Sequence, residues 1–152
     1  MKAETINKYS KRTYSKLHRT AKDWCHKYIK LRDTDEYGNG NCIVTGKPLK
    51  YGTEQAQAGH YYAAGKYKAL EFNEDNIHLQ SKQDNYYGHD FATYSRNLID
   101  KIGMERMKKL DQISRQSKRG IFKEDRFLMI EIIEKYKTKV KQLAKTKMFE
   151  VR

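Results

Sequence analysis

Between Gln57 and His89 the chain reads QAGHYYAAGKYKALEFNEDNIHLQSKQDNYYGH, and the residue types there can do chemistry. His60, His78 and His89 fall in this stretch together with Asn76 and, nine positions later, Asn85. A neutral imidazole near pH 7 can take a proton from water. An amide oxygen can ligate a hard cation such as Mg²⁺, and a metal ion can neutralise charge that builds on a phosphate. A histidine on a strand, an asparagine after it and a further ligand on a helix are therefore the parts of a phosphodiester-hydrolysing site.

Those parts must be held by local elements. Gly59-His60-Tyr61-Tyr62 is expected to begin the first strand of a hairpin, with Ala63-Ala64-Gly65-Lys66 as its turn and Ala69-Leu70-Glu71-Phe72 as the return strand. Asn73-Glu74-Asp75 is a turn, and a helix is expected from about Leu79 to Tyr86, or beginning slightly later. Upstream, Leu17, Ala21, Trp24, Tyr28 and Leu31 recur at helical spacing and predict a helix over about Tyr14–Leu31. Turn formers follow it, and Asn41 to Pro48 reads as a short strand entering a tight knuckle. Downstream, Phe91, Tyr94, Leu98, Ile99 and Ile102 give a second helix closed by Gly103. Met104, Met107, Leu110 and Ile113 give a third, ending near residues 117–120. A last helix over about Lys123–Lys147 carries Met129, Ile132, Ile133, Tyr136, Val140 and Leu143 on one face, ringed by lysines. That stripe is a packing or dimerisation surface first and a DNA grip second. The division is a basic, frayed N-terminus over 1–13, a core over 14–120 and a basic amphipathic helix over 121–152.

Composition narrows the partner. The 152 residues carry 32 Lys and Arg against 19 Asp and Glu, a net charge of +13, with 12 tyrosines. That balance favours a nucleic acid over an anionic membrane surface. No stretch is apolar enough to span a bilayer, and the start MKAETINKYSKR lacks the apolar core of a signal peptide. Cys25 and Cys42 make no disulfide framework, so a reducing cytoplasm is the expected compartment.

The residues then resemble a known family. Trp24…Tyr28-Ile29-Lys30-Leu31-Arg32-Asp33, the Cys42 knuckle, Ala58-Gly59-His60-Tyr61, Phe72 through Gln80, Asn85, Gly88 and Tyr94…Leu98 through Arg106 are similar to the NinG (Rap) phage recombination endonucleases, a branch of the HNH or ββα-metal nucleases. The resemblance implies an α+β fold, with a small ββα-metal core flanked by an N-terminal helix and several C-terminal helices. It implies a divalent-metal-dependent endonuclease, phage- or prophage-encoded and working in the host cytoplasm on branched DNA such as Holliday junctions. His60 would be the general base, Asn76 would fix the loop, and Asn85 would ligate Mg²⁺ or Mn²⁺. His78 would act at the metal or the phosphate, and His89 would be a further ligand or lie behind one. Lys66, Lys68, Lys82, Arg96 and Lys101 are the expected DNA contacts, and symmetric cutting of a junction suggests a homodimer.

The chain departs from the family pattern twice. Gly59 stands where many such sites place an aspartate ligand, leaving Gln57 and His78 as the nearest substitutes. The paired Cys-x-x-Cys knuckles are reduced to Cys42, Thr45, Ser81 and Asp84, a poor zinc set, so no structural zinc is expected. Hydrogen bonds and packing must hold the knuckles instead. Two other functions remain open on sequence grounds. One is a structure-selective DNA-binding protein that no longer cuts, and the other is an RNA-binding or protein-interaction module. His18 and His26 read as ordinary surface or core residues, and Cys25 as a packed thiol.

Overall fold

A computed structural model of the chain describes residues 1–88, 90–117 and 122–152. His89 and the end of the third expected helix, at 118–120, lie outside them.

The first expected helix forms as α2 over Tyr14–Arg32, with the Thr13 side chain accepting from the Lys16 amide at its N-terminus. Its apolar face buries Leu17, Ala21, Cys25, Ile29 and Leu31. Trp24 and Tyr28 pack partly buried at the edge of the same cluster. Its partner is the last helix, α6 (Arg126–Ala144), which starts at an Asp125 cap and buries Met129, Ile130, Ile132, Ile133, Tyr136 and Val140. Helices α2 and α6 pack along each other, so the apolar stripe of α6 is covered within the chain. Within the N-terminal segment Ala3–Lys8 forms α1, and Tyr9 is fully buried beside α6 with its hydroxyl on Glu134.

Two small antiparallel sheets complete an α+β domain. Strands β1 (Asn39–Asn41) and β2 (Pro48–Lys50) form the knuckle hairpin. Strands β3 (Ala56–His60) and β4 (Ile77–Ser81) pair with Gly59 opposite His78 and His60 opposite Ile77. Two sequence expectations fail here. The first strand ends at His60 rather than beginning at Gly59. The return strand is Ile77–Ser81, not Ala69–Phe72, which enters from a 3-10 turn at Lys68–Leu70 and sends Leu70 into the core. All five residues of β4 are buried. Ile77-His78-Leu79-Gln80 alternates apolar and polar residues as a strand does, and the helical reading from Leu79 fails because Leu79 and Gln80 belong to that ladder and the helix starts only after Ser81. The expected helix therefore starts later, as α3 over Lys82–Tyr87, with Ser81 accepting from the Asp84 amide.

Helices α4 (Phe91–Ile102) and α5 (Met104–Ser117) follow as expected, separated by Gly103 at φ +87. Tyr94, Leu98, Ile102, Met107 and Leu110 build a second apolar cluster with Leu70, Leu79 and the knuckle. The β3–β4 hairpin contributes to both clusters, Ala58 and Ile77 to the one with α2 and α6, and Ala56 and Leu79 to the one with α4 and α5.

Candidate active site and its polar surroundings

The loop that joins β3 to β4 is closed by Asn76. Its side-chain oxygen accepts from the Tyr62 amide at 2.8 Å, and its nitrogen donates to Tyr62 O at 2.9 Å and Leu70 O at 3.1 Å. The residue is completely buried. Three satisfied polar contacts at such a position hold the segment after His60 in one conformation.

His60 stands at the end of β3, and its Nε2 lies 2.9 Å from the Glu71 carbonyl. A carbonyl only accepts, so Nε2 carries the proton and Nδ1 keeps the lone pair. Burial, with a smaller push from Lys22, lowers the His60 pKa below the ordinary imidazole value. The ring is therefore neutral near pH 7 with its basic atom at Nδ1. The His26 ring lies beside it, with centroids 5.6 Å apart. His26 is held neutral more firmly, its pKa lowered to about 3 by burial and then by His60, Lys22 and Lys30.

His78 belongs to a different group of side chains. Its Nε2 donates to Asp75 O at 2.8 Å, and its Nδ1 faces Lys101 Nζ at 2.9 Å and an Arg32 nitrogen at 3.2 Å. Burial, then Lys101 and Arg32, lowers its pKa to about 4. Both cations also meet Asp33, at 2.7 Å for Arg32 and 3.0 Å for Lys101. Burial alone would raise the Asp33 pKa, but the hydrogen-bonded Arg32, then Lys101 and His78, hold it at about 2. Asp33 also accepts from the Leu79 amide, and Arg32 donates to Glu74 O and Ile77 O, so the cluster pins the end of α2 to β4. It borders an open cleft of about 620 Å³ lined by Asn39, Asn41, Cys42 and Lys101 among others.

Asn85 is exposed on α3 and donates to Gln57 Oε1 at 2.9 Å. Gly59 lies two residues along β3 from Gln57. A Cβ at Gly59 would overlap Gln80 Oε1, because the Gln80 side chain fills that space. The strand residues sharing this face are Gln57, Gly59, His78 and Gln80, none of them a carboxylate. Mg²⁺ is normally held by one or two carboxylates together with waters and phosphates. With both His78 nitrogens engaged and a single amide oxygen free on Asn85, the residues described on this face do not fit a resident hard cation.

The expected DNA contacts divide by partner. Lys66, Lys68 and Arg96 are exposed, Lys66 lying over the Tyr67 ring. Lys82 pairs with Glu54, and Lys101 with Asp33. In the knuckle, Cys42 Sγ lies 3.3 Å from Asp84 Oδ2 and accepts from the Ser81 amide at 3.3 Å, while Ser81 Oγ donates to Asp84 at 2.6 Å. Cys25 is buried and its thiol pKa pushed up to about 12 by that burial, so it is packing.

Several of these residues had no role in the sequence reading. Arg32 and Asp33 close α2 and look locally like an ordinary helix end. His26 is two turns from His18 and 34 positions from His60, so only the fold brings the two rings together. Gln80 stood in the stretch that resembles the family, but nothing in the sequence placed it against Gly59.

Over residues 2–147 the chain matches the family model described as NinG, the bacteriophage Lambda NinG protein. It belongs to that family of phage proteins. No curated protein and no solved structure shows a match. Among the described residues, no helix is long and apolar enough to cross a membrane.

Proposed function

We propose that this protein is a DNA endonuclease of the HNH type that acts on branched recombination intermediates, Holliday junctions among them, during phage recombination. The observation that carries this reading is His60. It is a neutral imidazole at the end of a hairpin strand, with Nε2–H committed to Glu71 O and the Nδ1 lone pair left without a hydrogen bond among the described residues. In this reading Nδ1 takes the proton from the attacking water, and Glu71 O stabilises the positive ring that results. Asn76 acts as a positioning residue, through the loop that it closes behind His60. His78 holds Lys101 and Arg32 near the phosphate backbone rather than ligating a metal.

Grip on DNA comes from the basic surface. Lys66, Lys68 and Arg96 are exposed, and Lys101 is part-exposed at the cleft. Tyr86 and Tyr87, 76% and 80% exposed on α3 beside Asn85, offer faces for unpaired bases at a branch point. The family resemblance carries an expectation of dependence on Mg²⁺ or Mn²⁺. The donors described on the β3–β4 face include no carboxylate and do not form a site for that ion. The test is nicking of a labelled four-way junction against a linear duplex, in Mg²⁺, in Mn²⁺ and in a chelator. Junction-selective nicking supports the reading.

One observation favours a second reading. Gln80 occupies the place of the side chain that Gly59 lacks, so this chain has closed over a ligand position rather than left it open. Such a protein would select branched DNA without cutting it. Tight junction binding with no nicking in any metal would establish that reading.

A further inference from the structure

Glu71 holds His60 through its backbone carbonyl, but its carboxylate meets other partners. His18 Nε2, on α2, lies 2.5 Å from Glu71 Oε1. Glu124, the residue before the cap of α6, brings its carboxyl against that of Glu71. One ligand atom from each of His18, Glu71 and Glu124 lies within 4.8 Å of the other two. Glu71 is 6% exposed. Glu124 Oε2 accepts from the Tyr14 hydroxyl at 3.1 Å, whereas Glu124 Oε1 is buried and has no hydrogen-bond partner.

This arrangement is costly as it stands. The chain carries 32 Lys and Arg, yet among the described residues neither carboxylate is paired with one. Burial and then Glu124 raise the Glu71 pKa, with His18 opposing. A buried carboxylate and a half-buried one in contact repel, and a buried oxygen without a partner adds a desolvation cost. A proton shared between the two carboxyls would relieve the repulsion. A divalent cation would relieve it too, and would also use His18 Nε2. One imidazole nitrogen and two carboxylate oxygens suit Zn²⁺ or Mn²⁺ better than Mg²⁺.

We propose that His18, Glu71 and Glu124 form a binding site for one first-row divalent cation, Zn²⁺ or Mn²⁺, which ties the approach to α6 to α2 and to the turn carrying Glu71. The site shares no residue with Asn85, His78 or Cys42, and it stands whether or not the protein cuts DNA.

The full chain, stripped with chelator, is titrated calorimetrically with ZnCl2, MnCl2 and MgCl2, and its melting temperature is read with and without each metal. The expected result is one equivalent of Zn²⁺ or Mn²⁺ bound and a higher melting temperature in its presence. Binding is weakened by roughly tenfold or more in Glu124→Gln and in His18→Gln, since even outer partners of metal ligands cost about that much. Asn85→Ala and Cys42→Ser bind as the wild type does. Glu124→Gln removes the like-charge contact, so without metal it melts no lower than the wild type, and lost binding in it is not lost folding. The proposal is overturned by no wild-type binding tighter than millimolar, by undiminished binding in Glu124→Gln or His18→Gln, or by loss of binding in Asn85→Ala or Cys42→Ser.

Discussion

Gln80 fills the space in front of Gly59, so that a Cβ there would overlap its side-chain oxygen and come within 3.0 Å of its own Cβ. The glycine and the glutamine are a matched pair. Gly59→Ala alone is expected to overpack the hairpin, at a cost of about 1–3 kcal/mol. Gly59→Ala with Gln80→Ala is expected to cost less than the two single changes added together. Urea unfolding of the four proteins in a double-mutant cycle reads that coupling, which for residues in contact is about 0.5–3 kcal/mol. Strict additivity would show that the overlap is relieved elsewhere.

Asn76 supports a second test. Asn76→Ala leaves the Tyr62 amide, Tyr62 O and Leu70 O without their partner. Buried polar groups left unmade cost about 1–3 kcal/mol each, and partial rewetting of the loop returns some of that. A loss of about 2–4 kcal/mol is expected, with fast hydrogen exchange at the Tyr62 amide. A slow Tyr62 amide in the variant would mean that the loop is held by something other than Asn76.

Two buried histidines set the sign of the pH dependence of stability, against a smaller opposing contribution from Glu71, whose raised pKa stabilises the folded chain as pH falls. His26 and His78 have folded pKa values of about 3 and about 4, below the ordinary imidazole value. Below about pH 6.5 the unfolded chain takes up protons at both sites while the folded chain does not. Their contribution is complete above about pH 6.5 and is lost as pH falls toward the folded values, at up to about 1.4 kcal/mol per pH unit for each group. Asp33, held at about 2, adds to the loss only at more acidic pH. Unfolding free energy measured from pH 8 to pH 4 is expected to fall, and His26→Gln to fall less steeply. Equal slopes in the two proteins would show that His26 is not the buried titrating group.

Some of this was legible in the chain. Leu17, Ala21 and Leu31 announced α2, and Ile132, Ile133 and Tyr136 announced α6, because one face of each helix is apolar and the other is charged. The end of β4 was read as helix because Leu79 and Gln80 run straight into α3 at the Ser81 cap, although Ile77-His78-Leu79-Gln80 alternates as a strand does. Tyr9 gave no sign of burial, because its neighbours in sequence are polar while its neighbours in space are α6. His60, Asn76 and Asn85 were visible as a spacing. The Arg32–Asp33–His78–Lys101 cluster and the His18–Glu71–Glu124 triad were not, since each joins segments 23 or more positions apart through tertiary packing alone.

The central claim is that His60 Nδ1 is the base of a junction nuclease. It is tested most directly by single-turnover nicking of a four-way junction by the wild type and by His60→Ala, with junction binding measured alongside. Loss of a general base costs about 10²–10⁴-fold in rate. The expected result is a wild type that nicks the junction in preference to duplex, and a variant that binds it comparably but nicks it more slowly by about that factor. A variant that cuts as fast as the wild type, or a wild type that binds and never cuts, would contradict it.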